Sequence, residues 1–240
     1  MKHILVCLHG WGGSKESFDD LKRALSGSDI EVLTPDLPGF GMEPEPPHPF
    51  TVDDYADWVV GWLTKRLAIS DKRIEWELLG HSHGGRIATK LVTGRLQAQS
   101  FQLPARLYLC AAAGIRRPRH FKRIVGLLLA KTGKFFLAIP GFKNLEPLGK
   151  KLLYRLVRVH DYENASPVMR QTLIEITKED LRPLLPKITV PTEIFWGEDD
   201  HMTPIEDGRI MAKEIPHAVL HTFPGTRHAV HKERAKEIGG

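Results

Sequence analysis

The chain has 240 residues, of which 42% are hydrophobic and 26% are charged. This length and composition fit one α/β domain with a buried core, and they argue against a disordered chain or an integral membrane protein. The formal net charge of +5 is concentrated between residues 115 and 160, where twelve Lys or Arg face a single acid, Glu146. Nucleic-acid binding is not favoured, because interleaved aromatic and glycine-rich strand motifs are lacking.

Short apolar segments alternate along the chain with segments of helical periodicity. The predicted strands are 4–8, 31–34, 75–79, 106–111, 192–196 and 219–223. The predicted helices are 18–25, 55–66, one that follows Gly85, 204–215 and 231–238. Thr51 and Asp54 resemble a capping box at the start of the second helix. This alternation is typical of βαβ units and predicts a mostly parallel, doubly wound sheet of about six strands.

The segment 115–186 separates the fourth and fifth predicted strands and has helical rather than strand periodicity. Pro140, Gly141 and Pro147 divide it into at least three pieces. We therefore predict a core formed by 1–114 and 187–240, with 115–186 inserted as a helical cap. The basic charge of the cap has three open interpretations: a solvated face, steering of an anionic substrate, or peripheral contact with an anionic membrane.

A Gly-x-Ser-x-Gly motif follows the third predicted strand and precedes a helix. It consists of Gly80, Ser82 and Gly84. A sharp strand-to-helix turn leaves no room for side chains at the two glycines and projects the serine hydroxyl outward. The strand and helix on either side make a chance match improbable. The sequence therefore predicts Ser82 as a nucleophile.

The first predicted strand ends in a loop that contains Gly10, Trp11, Gly12 and Gly13. Loops at the carboxyl edge of an open α/β sheet are where such folds hold their ligands. The backbone N–H groups of Trp11 and His83 are candidates for a two-donor oxyanion hole. A phosphate-binding loop is disfavoured, because no Gly-Lys-Ser or Gly-Lys-Thr follows.

His81 and His83 flank the serine and raise the alternative of a metal site. No cysteine or carboxylate cluster accompanies them in the sequence, so a metal site is the less favoured alternative. We expect no metal and no cofactor.

A serine nucleophile needs a base and an orienting acid, which in this type of fold follow the serine in the order acid, then histidine. The loop after the fifth strand offers Glu198, Asp199 and Asp200. The loop after the sixth strand offers His228, and His231 is a rival three residues later. The residues alone leave the choice within each group open.

Taken together, these motifs make the chain resemble a cap-bearing member of the α/β-hydrolase superfamily over about 4–114 and 187–233. The acid of that family lies in a Gly-x-x-Asp-x-x-x-Pro segment, which falls on Gly197, Asp200 and Pro204. The family's histidine follows a glycine by three residues, which matches Gly225 and His228. The resemblance thus implies a catalytic triad of Ser82, Asp200 and His228.

The resemblance also implies an activity, acyl-enzyme hydrolysis of small or medium carboxylic esters. Hydrolysis of a C–C bond next to a ketone, as in meta-cleavage-product hydrolases, is an alternative with the same triad. A small-molecule receptor of this fold with little turnover is a second alternative. The expected partner is a small-molecule substrate.

The expected compartment is the cytoplasm. The apolar run near the first residue is too short for a signal segment or a membrane span. The two cysteines, Cys7 and Cys110, each lie in an apolar strand-like run and form no disulfide framework.

Overall fold

A computed structural model describes residues 2–67, 74–116 and 165–239. Its centre is a parallel sheet formed by the strands β1 (Lys2–Leu8), β2 (Ile30–Leu33), β3 (Ile74–His81), β4 (Leu107–Cys110), β5 (Thr192–Gly197) and β6 (Val219–Phe223). Their order in the sheet is β2-β1-β3-β4-β5-β6. The prediction of a doubly wound sheet of six strands is confirmed, and each strand begins and ends within two residues of its predicted bounds.

Helices connect the strands and cover the sheet. They are α1 (Asp19–Ala24), α2 (Val52–Arg66), α3 (His83–Lys90), α4 (Leu96–Ala98), α5 (Pro167–Lys178), α6 (Ile205–Glu214), α7 (Val230–Glu233) and α8 (Ala235–Gly239). Turns of 3₁₀ helix occupy Lys15–Phe18 and Arg182–Lys187, and a π-helical turn, Leu91–Arg95, links α3 to α4. At the start of α2 the predicted capping box is present, since the Asp54 amide donates to Thr51 Oγ1 at 3.2 Å and the Thr51 amide donates to Asp54 Oδ2 at 2.7 Å.

The core lies on both faces of the sheet, which is why the central strands read as almost unbroken apolar runs. In β1, every side chain from Ile4 to Leu8 is buried. Helix α3 packs against β1 and β3 and is covered by α2, while α1 packs against α7 and α8. This arrangement brings the carboxyl ends of β1, β3, β4, β5 and β6 to one edge, where the loops that carry the candidate site residues begin.

The last predicted helix, 231–238, is divided into α7 and α8 at Arg234. The backbone of Arg234 leaves the helical region, with φ −125° and ψ 33°. Its side chain turns back to the end of the sixth strand and the loop after it. Nε donates to Thr226 Oγ1 in that loop at 2.9 Å, and the guanidinium lies 5.3 Å from the ring of Phe223, the last residue of the strand. These tertiary contacts accompany a break that helical periodicity does not show.

The described residues up to Arg116 and from Gln171 onward form one compact unit. Residues 171–186, which the sequence pattern assigned to the cap, therefore lie in the unit that contains the sheet, and they include most of α5. Residues 115 and 116 of the predicted cap also belong to this unit, and 165–170 are described but lie outside it. The rest of the predicted cap, 117–164, lies outside the described residues, so the cap stays a prediction. None of the helices in the described ranges combines the length and apolar character that crossing a bilayer requires.

Candidate active site

Ser82 forms the turn between β3 and α3 and has a strained backbone. Its φ of 51° and ψ of −110° lie in a region that side-chain-bearing residues seldom adopt, at a cost of about 1–3 kcal/mol. Two backbone hydrogen bonds hold the turn: the Ser82 amide donates to Cys110 O at 3.1 Å, and the Ala113 amide donates to Ser82 O at 2.9 Å. The sharp turn predicted from the motif is therefore present.

The glycines of the motif are required by backbone contacts. A Cβ at Gly80 would lie 2.6 Å from the carbonyl oxygen of Gly84. A Cβ at Gly84 would lie 2.0 Å from the carbonyl oxygen of Leu8 in β1. Both distances are shorter than any real Cβ contact, and backbone atoms cannot rotate away as a side chain can. The turn can therefore pack against β1 only with glycine at these positions.

Asp200 and His228 form a hydrogen-bonded pair. His228 Nδ1 lies 2.7 Å from Asp200 Oδ2, and the Asp200 carboxylate is fully buried. Asp200 Oδ1 accepts the backbone N–H groups of Met202 at 2.7 Å and Thr203 at 3.0 Å. Burial raises the pKa of Asp200, but the hydrogen bonds and charge of His228 and the hydrogen bonds of Thr203 outweigh it, so the net pKa lies below the usual value. The carboxylate is thus ionised and holds one ring nitrogen of His228.

The two neighbouring acids do not contact His228 in the described structure. Asp199 is exposed, and Glu198 accepts a hydrogen bond from Thr222 Oγ1 at 2.9 Å. Of the three acids in this loop, Asp200 is the one in contact with His228.

The rival histidine, His231, is buried in α7 and lies away from the acid. Its ring stacks on that of His81 with centroids 3.7 Å apart, and neither ring nitrogen has a hydrogen-bond partner among the described residues. Burial, followed by the charges of Lys232 and His228, lowers the pKa of His231 to about 3. A histidine in this setting stays neutral at ordinary pH and has no acid to orient it.

His81 connects the Ser82 turn to the loop that carries His228. Its Nε2 lies 3.0 Å from the carbonyl oxygen of His228, and a carbonyl can only accept, so Nε2 carries the hydrogen. The ring centroids of His81 and His228 are 4.9 Å apart. No hydrogen bond joins the Ser82 hydroxyl to His228 among the described residues.

The predicted oxyanion donors lie at two different elements. Trp11 is in the loop after β1, and His83 is the first residue of α3, where backbone N–H groups lack helical acceptors and the helix dipole favours negative charge. Neither backbone amide donates a hydrogen bond within the described residues. The Trp11 ring lies 5.9 Å from the ring of His83, so the two residues are close together.

His9 fixes the loop that carries Trp11. Its Nε2 accepts the Leu37 amide at 3.0 Å, so Nδ1 carries the hydrogen and donates to Gly10 O at 2.8 Å. Burial is the largest influence on this ring and lowers the pKa of His9. Asp36 adds a second support, because its carboxylate accepts the Lys15 amide at 2.7 Å and the Met42 amide at 3.1 Å.

Sequence reasoning missed the contacts of His9, His81 and Thr203. The motifs name the nucleophile, acid and base, whereas these three side chains act on groups contributed by other loops. His81 and His83, which raised the metal alternative, have different surroundings: His81 contacts His228 and His231, while His83 packs against Tyr55 with ring centroids 4.8 Å apart. Within the described ranges no three His, Cys, Asp or Glu side chains are grouped as a metal ion requires.

Comparisons with known proteins identify relatives of this chain. The chain is 27% identical over 252 residues to the uncharacterized hydrolase YugF of Bacillus subtilis, covering 99% of this chain and 87% of that one. It is 27% identical over 240 residues to the pimeloyl-[acyl-carrier protein] methyl ester esterase of Chromobacterium violaceum, covering 94% and 87%.

Among solved structures, an esterase from Exiguobacterium antarcticum superimposes with a TM-score of 0.71 at 25% identity, covering 99% of this chain and 89% of that chain. Residues 5–238 match the alpha/beta hydrolase family. This chain therefore belongs to the alpha/beta hydrolase family.

Proposed function

We propose that this protein is a serine hydrolase that cleaves carboxylic esters through an acyl-enzyme intermediate. The observation that carries the proposal is the hydrogen bond of 2.7 Å between buried Asp200 and partly buried His228, which is linked through His81 to the strained turn of Ser82. A strained serine, an oriented histidine and a buried carboxylate are the three groups that acyl transfer needs.

The reaction follows from the hydrogen bonds. Since Nδ1 of His228 is held by Asp200, Nε2 is the nitrogen available to accept the Ser82 proton. Ser82 Oγ then attacks the ester carbonyl, and the amides of Trp11 and His83 are the proposed donors to the tetrahedral oxyanion. His228 returns the proton to the leaving alcohol, and water releases the acid in a second cycle with the same base. Neither cycle uses a cofactor.

The relatives support an ester as the substrate. One is by name a methyl ester esterase and another an esterase. We propose an ester of small or medium size as the substrate.

A panel of p-nitrophenyl esters with acyl chains of increasing length tests the proposal. We expect Ser82-dependent turnover with an initial burst that approaches about one equivalent of p-nitrophenol per chain when deacylation is slow. A vinylogous 1,5-diketone, assayed beside the esters, should be cleaved more slowly than the best ester.

Three results would count against ester hydrolysis. Faster cleavage of the diketone would favour C–C bond hydrolysis. One equivalent of product without later turnover would favour a receptor that is modified once. Equal ester turnover by the wild type and by Ser82→Ala would remove the serine mechanism altogether.

A further inference from the structure

Thr203 contacts both the acid and the base of the candidate site. It lies in the loop after β5, three residues beyond Asp200. Its Oγ1 lies 2.7 Å from Asp200 Oδ2 and 3.2 Å from His228 Nδ1. Its backbone amide also donates to Asp200 Oδ1 at 3.0 Å. One residue therefore holds both oxygens of the carboxylate.

The carboxylate of Asp200 accepts four hydrogen bonds. Oδ1 accepts the amides of Met202 and Thr203, and Oδ2 accepts His228 Nδ1–H and the Thr203 hydroxyl. An ionised carboxylate only accepts, so the hydroxyl hydrogen must point toward Asp200 in this contact. With two donors on each oxygen, the carboxylate plane cannot rotate without losing hydrogen bonds, and these bonds restrict the direction from which Asp200 Oδ2 meets the imidazole.

The same hydroxyl reaches a second loop. Thr203 Oγ1 lies 3.2 Å from the carbonyl oxygen of Ala111, the residue that follows β4. Ala111 has a positive φ of 44°, and two residues later the Ala113 amide donates to Ser82 O at 2.9 Å. The hydroxyl therefore lies where the loop of the acid meets the loop that supports the backbone of Ser82.

We propose that the hydroxyl of Thr203 is a positioning group that holds the Asp200–His228 pair in a fixed position relative to the turn of Ser82. This inference rests on the proposed function. The shorter distance assigns the hydroxyl hydrogen to Asp200, and the Ala111 carbonyl lies within reach as the alternative acceptor. Thr203 touches no reacting atom of the ester, so its effect on the reaction passes through Asp200 and His228.

Thr203→Val and Thr203→Ser separate the hydroxyl from the shape of the side chain. Valine keeps the volume and removes the hydroxyl, whereas serine keeps the hydroxyl and removes a methyl group. We expect Thr203→Val to lower kcat about 10- to 100-fold with KM changed less than about twofold, because a hydrogen bond to a charged group is lost and ester binding is untouched. Thr203→Ser should stay within about threefold of the wild-type kcat.

Thr222→Val provides a matched control. Thr222 Oγ1 also donates to a carboxylate, that of Glu198 at 2.9 Å, but the pair is exposed and has no contact with His228 in the described structure. This variant should keep the wild-type kcat and KM. If Thr203→Val does not fold by circular dichroism, Thr203→Ala is compared with Thr203→Ser in its place.

The outcomes distinguish this inference from the proposed function. A wild-type kcat in Thr203→Val, or equal losses in the valine and serine variants, would overturn the role of the hydroxyl while Ser82-dependent turnover persists. A rise in KM without loss of kcat would place Thr203 in substrate binding and also overturn it. Turnover that does not depend on Ser82 would instead overturn the proposed function, whatever the result at Thr203.

Discussion

At the scale of single residues, the account depends on which of Asp199 and Asp200 is the acid that orients His228. Asp200 is buried against His228, whereas Asp199 is exposed beside it in the chain. We predict that Asp200→Asn lowers kcat about 10³- to 10⁴-fold, because an amide that donates to Nδ1 favours the histidine tautomer with its hydrogen on Nε2, which cannot accept the serine proton. Steady-state ester hydrolysis measures this loss.

Asp199→Asn removes the same charge one residue earlier and is the matched control. It should hydrolyse esters within about twofold of the wild type, because surface substitutions have small effects. If Asp199→Asn were the damaging change and Asp200→Asn the mild one, the acid would be assigned to the wrong residue.

Residue spacing predicts the nucleophile and the two loops that offer an acid and a base, because each loop follows the end of a strand and those ends meet at one edge of a parallel sheet. The family resemblance then selects Asp200 and His228 within those loops. It does not predict Thr203 or the role of His81. Their contacts join Asp200, His228 and Ala111 across loops that begin at three different strands. Such contacts depend on loop conformation, for which the pattern of apolar residues carries no information.

At the scale of elements, one crowded glycine and one with open space around it test how the Ser82 turn packs against β1. Gly84 has no space for a Cβ because of the Leu8 carbonyl. Gly61 lies at an exposed position in the middle of α2, where a Cβ would have nothing within 4 Å. Urea denaturation should show Gly84→Ala destabilised by about 3 kcal/mol or more. Gly61→Ala should be stabilised by about 0.5–1 kcal/mol, the gain in helix propensity.

An equal stability change at both glycines would mean that the turn can move away from β1.

The same turn shows what helical and strand patterns in the sequence can predict. The patterns locate β3 and α3 to within a few residues, and the Gly-x-Ser-x-Gly motif predicts a tight turn between them. The break at Arg234 is instead accompanied by contacts with Thr226 and Phe223, which no local pattern contains.

At the scale of the whole molecule, buried histidines make stability depend on pH. Burial is the largest cause that lowers the pKa of His81, His83 and His231, and for His231 the value is about 3. In the unfolded chain these rings regain a pKa of about 6.5. Below about pH 6.5 the unfolded state therefore binds more protons than the native state, and the free energy of unfolding falls as the pH falls.

The expected loss for His231 is about 2 kcal/mol between pH 7.5 and pH 5, since one proton changes the free energy of unfolding by about 1.4 kcal/mol for each pH unit below the unfolded-state pKa of about 6.5. Urea denaturation at pH 7.5 and 5.0 measures it. His231→Phe keeps an aromatic ring in the buried site and should reduce the pH dependence by this amount, whereas His48→Phe, at an exposed position, should leave it unchanged. An identical pH dependence in wild type and His231→Phe would mean that His231 is protonated in the native state.

The central claim is that Ser82 is the nucleophile, and covalent labelling tests it most directly. A fluorophosphonate reacts with a serine only when a base activates it, and peptide mass spectrometry locates the modified residue. We predict one label per chain, on the peptide that contains Ser82. Ser82→Ala should lose both the label and at least ~10³-fold of the ester turnover, while Asp199→Asn keeps both. A label on another residue, or undiminished labelling of Ser82→Ala, would contradict the account.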